Sequence, residues 1–179
     1  MNRYKDPVCE DAIKRPLSPF LRTLETADAI RQSTGLAPEA WVALHEQGGC
    51  YAGYTQDNIT GRPGLTRSEI NSRFPDFQIP DEIDGDGWWK RKPHENVGQA
   101  RARAAKLHRR TMETFAHNNE CVAYVMHGDF KLLFLDSLQI APLDVADNAA
   151  VSKITIEDDD AKREYFNKTD HLPDSVITC

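Results

Sequence analysis

Apolar residues recur along this chain at two different spacings, and each predicts its own kind of element. Leu21, Leu24, Ala27 and Ile30 fall at helical intervals, which predicts a helix over roughly residues 20–32. Ser18 suits its N-cap, Pro19 its first position and Gly35 its stop. Val97, Ala100, Ala104, Leu107 and Phe115 set the same rhythm over about 96–116. The basic residues of that stretch (Arg101, Arg103, Lys106, Arg109 and Arg110) fall mostly on other faces and read as a solvated surface. A shorter helix is predicted near 66–74, and another over 130–140 on Leu132, Leu133, Leu135 and Leu138. Trp41-Val42-Ala43-Leu44 reads as a short strand. The run 121–126, Cys-Val-Ala-Tyr-Val-Met, lacks polar alternation, so it is expected to be a strand covered on both faces, as in parallel sheets. Val151–Glu157 and Ala161–Phe166 flank Asp158-Asp159-Asp160 and predict a β-hairpin.

Strands that alternate with helices predict an α/β fold in one domain spanning 1–179. The first 15 residues match none of these patterns and are expected to be poorly matched or disordered. Residues 47–95, rich in Gly, Pro, Asp and Arg, read as a cap-like insertion anchored by Trp88 and Trp89. A connection of that length inside a compact domain points to function.

Composition narrows the classes. The chain is 40% hydrophobic and 28% charged, with mean hydropathy −0.60. No apolar stretch approaches the roughly 20 residues of a membrane span. MNRYKDPVCEDAIKR has no hydrophobic signal-peptide core, so a protein with no membrane partner is expected. A net charge of −6 argues against nucleic acid as partner. Cys9, Cys50, Cys121 and Cys179 are scattered, which suits reduced thiols and a cytoplasmic location rather than a zinc or disulfide framework. Two glycosylation sequons, at Asn58 and Asn167, matter only in a secreted protein. No metal cluster, Ser or Cys triad or glycine-rich nucleotide loop is visible, so no cofactor is expected.

Candidate chemistry concentrates at the end of the 121–126 strand. A strand that delivers His127-Gly128 beside a helix start builds an anion site, since backbone N–H groups and the helix dipole both favour negative charge. Two further segments join it. Ser18-Pro19-Phe20-Leu21-Arg22-Thr23-Leu24-Glu25-Thr26-Ala27 resembles the S-P-x-x-R-x-x-x-T-A element of the histidine phosphatase superfamily, which includes the cofactor-dependent phosphoglycerate mutases. Leu44-His45-Glu46-Gln47-Gly48-Gly49 is similar to that family's acid-bearing strand end, and Val125-Met126-His127-Gly128 to its second-histidine motif. Tyr165-Phe166-Asn167 and His171-Leu172 resemble its last strand and tail. The resemblance spans about Pro16 to Pro173.

The resemblance implies a three-layer α/β/α sandwich with a mostly parallel central sheet. It also implies phosphoryl chemistry on phosphorylated small molecules through a phosphohistidine. Arg22 and His127 would bind the phosphate, with Gly128 at the same helix start, and Glu46 would be the general acid. Such roles suit the residue types: a guanidinium fork matches phosphate, and a carboxyl acid works best with a raised pKa. Arg62, in the cap, is a candidate for meeting an anionic substrate. Glu95 either orients the site or caps the following helix. Phosphatase and mutase chemistry both remain open, and the oligomeric state is not legible.

One element of the family is missing. Its members begin with a strand that ends in Arg-His-Gly, whose His is the nucleophile, and no Arg-His-Gly occurs in these residues. Two explanations stand: a truncated form of an active enzyme, or a pseudoenzyme that keeps the phosphate pocket. The absence of an adapted replacement strand favours truncation. Either way, the chain is expected to lack its first strand and most activity.

Overall fold

The structure, a computed structural model, describes residues 12–55, 57–115, 121–140, 144–157 and 160–178. Its framework is a set of short parallel pairings. β1 (Ala12–Lys14) pairs with β6 (Cys121–Val122), and β2 (Pro16–Leu17) pairs with β3 (Glu39–Ala40). Bridges from Leu17 to Val125 and from Glu39 to Gln78 extend the order to 78, 39–40, 12–17, 121–125, all parallel. The longest ladder is antiparallel: β7 (Val151–Glu157) against β8 (Asp160–Lys168). The expected hairpin is there, although Asp158 and Asp159 lie outside the described residues.

The helices follow the apolar spacing. They are α1 (Leu21–Thr34), α2 (Arg67–Arg73), α3 (Val97–Phe115) and α4 (Gly128–Ser137). Gly35 stops α1 in the left-handed conformation, with its N–H on the Arg31 carbonyl. Thr66 and Glu69 cap α2 reciprocally.

Two cores flank the parallel strands. Leu17, Leu24, Ala27 and Ala40 share one with Ile70, Phe74, Phe77, Ile83, Trp88 and Trp89. Trp41, Leu44, Ala104, Leu107, Phe115, Phe130 and Phe134 form the other. Val125 packs toward the first core, whereas Val122, Tyr124 and Met126 pack toward the second. Side-chain alternation along a strand produces that split.

Several expectations are corrected. Trp41–Leu44 is not a strand: β3 ends at Ala40, and Val42–Leu44 is a 3-10 turn closed by the His45 N–H on the Val42 carbonyl. The last ladder bond, from Trp41 N–H to the Leu17 carbonyl, leaves the chain free to turn and bury Leu44. Within residues 1–15, expected to be poorly matched or disordered, β1 occupies Ala12–Lys14. Residues 121–126 are half-buried rather than covered on both faces. Among the described residues, no strand pairs with the edge of β6 that faces away from β1.

The segment 47–95 carries a hairpin, β4 (Tyr51–Ala52) with β5 (Thr60–Gly61), and its tryptophans pack into the core that holds Leu17 and Leu24. Trp88 and Trp89 are 2% and 5% exposed, and each rests on a glycine. A Cβ at Gly49, whose φ is +77°, would meet Trp89 Cζ2 at 2.2 Å; one at Gly64, φ +74°, would meet Trp88 Nε1 at 2.4 Å. Gly49→Ala therefore combines backbone strain with a ring clash. It is expected to cost about 2 kcal/mol or more in urea unfolding. A loss below about 0.5 kcal/mol, the scale of a neutral surface change, would show that the indole does not sit there.

Candidate functional site

Three elements end at one place. Leu17 leads into Ser18-Pro19-Phe20 and then α1, whose second residue is Arg22. The turn after β3 leads to Glu46. The strand segment ending at Met126 leads to His127, which is the N-cap of α4. Arg22, Glu46 and His127 thus lie together, although 105 residues separate the first from the last.

Arg22 Nε donates to His127 Nδ1 at 3.1 Å. Glu46 Oε2 lies 3.9 Å from Arg22 Nη2 and 3.9 Å from His127 Nδ1. Glu46 Oε1 accepts from Gln47 N–H at 2.9 Å and from Phe130 N–H, in the first turn of α4, at 3.2 Å. The Arg22 side chain is 59% exposed and that of His127 only 3%. The open end of the site is therefore the guanidinium and its floor is the imidazole. Arg22 is not spent on its own helix: Glu25 pairs with Arg73, and the Thr26 hydroxyl donates to the Arg22 carbonyl. A cation near a helix N-terminus opposes the dipole, so Arg22 is placed for something other than helix stability.

Burial sets the protonation states. It pushes the Glu46 carboxyl up; the Gln47 and Phe130 N–H groups oppose this, and Asp129 adds to it. Burial also drives the His127 imidazole down to about 3, assisted by the Arg22 charge. His127 is therefore neutral at ordinary pH. Since Arg22 Nε can only donate, Nδ1 accepts, and the ring proton sits on Nε2. Nε2 is 2.7 Å from the Ser18 hydroxyl.

Ser18 was expected to cap α1. The N-cap is Phe20 instead, and Phe20 N–H is 3.5 Å from Ser18 Oγ, a long contact. A buried imidazole is the better partner for a fully buried hydroxyl. The Phe20 ring lies edge-on to His127, with centroids 4.9 Å apart, and under the Arg22 guanidinium at 4.6 Å.

The remaining candidates sit farther out. Gly128 opens α4, and a Cβ there would meet only the Ala146 carbonyl at 3.7 Å, an ordinary contact. Arg62 is exposed, and its backbone N–H bonds the Cys50 carbonyl. Both Arg62 and Arg22 act on the Cys50 thiol, so Arg62 stands near the mouth of the site; burial nevertheless pushes that thiol up. Among the described residues, no group of three or more His, Cys, Asp or Glu side chains could hold a metal ion, and no helix is long and apolar enough to cross a membrane.

Residues 3–169 match the model of the histidine phosphatase superfamily (branch 1). The chain belongs to that superfamily. No curated protein matches the sequence. Solved structures resemble it in fold. The product of a Mycobacterium tuberculosis open reading frame has TM-score 0.53 and 21% identity, over 87% of this chain and 72% of its own. A mycobacterial hydrolase gives 0.57 and 17%, over 92% and 80%. A mycobacterial glucosyl-3-phosphoglycerate phosphatase in complex with inorganic phosphate gives 0.56 and 16%, over 93% and 84%.

In this member of the superfamily a buried ion pair supports the Glu46 loop; the sequence reading left Glu95 either orienting the site or capping a helix, and placed Arg103 on the solvated surface. Arg103 Nε and Nη2 grip Glu95 at 2.8 and 2.6 Å, while Nη1 donates to the carbonyls of Ala43 and His45 at 2.8 and 3.0 Å. The same guanidinium stacks 3.7 Å over the Phe130 ring, and Glu95 N–H bonds the Gly48 carbonyl at 3.1 Å. Arg103 thus fixes both sides of Glu46. It was read as solvated, yet it follows Ala100 by three and precedes Leu107 by four, which puts it on the buried stripe.

Two outcomes follow for stability. Burial pushes the Glu95 carboxyl up, but the Arg103 hydrogen bonds and the His45 ring, 3.6 Å away, outweigh it and hold it at about 2. Arg103→Ala leaves that carboxylate buried without its partner and is expected to cost about 3–5 kcal/mol at neutral pH. A loss below about 1 kcal/mol, typical of an exposed pair, would contradict a buried role. The second outcome concerns acid. His127 is held near 3 in the folded chain against 6.5 when unfolded, so the unfolded state binds more protons between those values. Stability is therefore lost as pH falls through that window. His127→Gln should flatten this part of the urea-unfolding profile; an unchanged slope would mean that His127 is not held neutral.

Proposed function

We propose that these residues form a phosphoglycerate-mutase-like histidine phosphatase domain, a three-layer α/β/α fold that binds phosphorylated small molecules. The observation that carries this reading is the meeting of Arg22, Glu46 and His127 within 3.1–3.9 Å of one another at the N-terminus of α4. Arg22 is the phosphate's main electrostatic partner, with a fork of donors that a monatomic charge would not supply. His127 and the start of α4 at Gly128 complete the oxyanion cradle. Arg62 meets the rest of the substrate from the cap. Glu46, its pKa raised by burial, is suited to hold the proton that a leaving alkoxide takes up. The phosphate and vanadate complexes of the mycobacterial phosphatase support this ligand class. A free thiol at Cys50 suits a cytoplasmic setting.

Covalent transfer also needs a nucleophile, and the Arg-His-Gly that supplies it in the superfamily is not in this sequence. This chain therefore binds phosphate without turning substrate over. That observation favours a second reading as well: a non-catalytic module of the same fold that recognises a phosphorylated ligand or a protein partner.

A melting experiment with inorganic phosphate, paired with an assay on a generic phosphate monoester, tests the proposal. Phosphate should raise the Tm of residues 1–179. Arg22→Ala should abolish that rise, and turnover should stay at background. Vigorous hydrolysis that disappears in His127→Ala would overturn the inactive reading. No thermal response to phosphate or vanadate would remove the binding site itself.

A further inference from the structure

The side of His127 that faces away from the ligand carries a second message. Ser18 is fully buried, and its Oγ lies 2.7 Å from His127 Nε2. Backbone hydrogen bonds fix the serine rigidly. Its N–H bonds the Val125 carbonyl at 2.9 Å, and its own carbonyl accepts from the Thr23 hydroxyl at 2.8 Å. The imidazole therefore has one designed partner on the protein side. On the site side its Nδ1 faces Arg22 and Glu46.

A conflict arises when an anion enters. With Arg22 donating to Nδ1, that nitrogen presents a lone pair to the site. Phosphate oxygens are acceptors too, so an unprotonated Nδ1 would repel them once the guanidinium turns toward the phosphate. Nδ1 must then carry a proton. Charging the whole ring is disfavoured where the side chain is 3% exposed and the Arg22 cation is adjacent. Moving the proton from one nitrogen to the other avoids this.

We propose, building on the phosphate-binding reading above, that Ser18 is a positioning residue whose hydroxyl lets His127 change tautomer when phosphate binds. In the free chain Nε2–H donates to Ser18 Oγ. In the bound state Nδ1–H donates to a phosphate oxygen, and the Ser18 hydroxyl rotates to donate to Nε2. The ring stays neutral: Nδ1 takes up one proton from solvent and Nε2 returns one. A hydroxyl serves both states because it accepts and donates. A carbonyl would lock the first state and an ammonium the second. The long Phe20 contact, at 3.5 Å, leaves the oxygen free to change roles.

NMR of histidine labelled with nitrogen-15 reads the tautomer directly. At neutral pH the free chain should show His127 protonated at Nε2; saturating inorganic phosphate or vanadate should shift it to Nδ1. Ser18→Ala should leave a mixture in the free chain and weaken phosphate binding about tenfold or more, the scale of an unsatisfied buried group. Ser18→Thr, which keeps the hydroxyl, should restore both signals. If phosphate binds and the proton stays on Nε2, or if Ser18→Ala behaves as wild type, the proposal fails while the binding reading survives. If neither anion binds, both fail together. The wild-type spectra decide the matter even where Ser18→Ala does not fold.

Discussion

Two rows of parallel hydrogen bonds, one on each edge of residues 14–18, hold the site together. On one side Ala123 and Val125 donate to the carbonyls of Lys14 and Pro16, and Ser18 donates to Val125. On the other side Glu39 and Trp41 donate to the carbonyls of Arg15 and Leu17. Parallel strands in register end at the same level, so the residues just beyond them converge. Arg22, Glu46 and His127 are such residues, five positions past Leu17, six past Ala40 and two past Val125. A slip of one residue in either row would turn the strand's side chains to the opposite face and take the triad apart.

What converges there is poorly suited to stability and well suited to an anion. A cation stands at the wrong end of a helix, a carboxylate is partly buried with a raised pKa, and a histidine is buried neutral. Each opposes folding on its own account. Groups held in perturbed states within one cleft mark functional positions more often than structural ones. The Arg103–Glu95 pair offsets part of the cost: it satisfies the carbonyls of the Glu46 loop and packs on Phe130, whose N–H holds the carboxylate.

Much of this was legible in the sequence, for physical reasons. Helices α1 and α3 follow apolar spacing that no other periodicity fits, and the hairpin β7–β8 follows its flanking acidic turn. The triad was legible because its three motifs keep the order and spacing of a known superfamily. Trp41–Leu44 was not, because an apolar run of that length suits a strand and a buried turn alike, and only the ladder from Leu17 decides where pairing stops. Ser18 misled because cap and partner use the same hydroxyl; its distant imidazole outcompetes the local N–H only once the chain is folded. Arg103 was misassigned because charge was weighed above position on the helix.

The account stands on one claim, that Arg22, Glu46 and His127 surround a single phosphate position. A crystal structure of residues 1–179 grown with vanadate tests it most directly. The account predicts one vanadate at the N-terminus of α4, with the Arg22 guanidinium and His127 Nδ1 both within hydrogen-bond distance of its oxygens and Glu46 beside it. Vanadate bound elsewhere, or the Arg22 and His127 side chains pointing into different clefts, would contradict it.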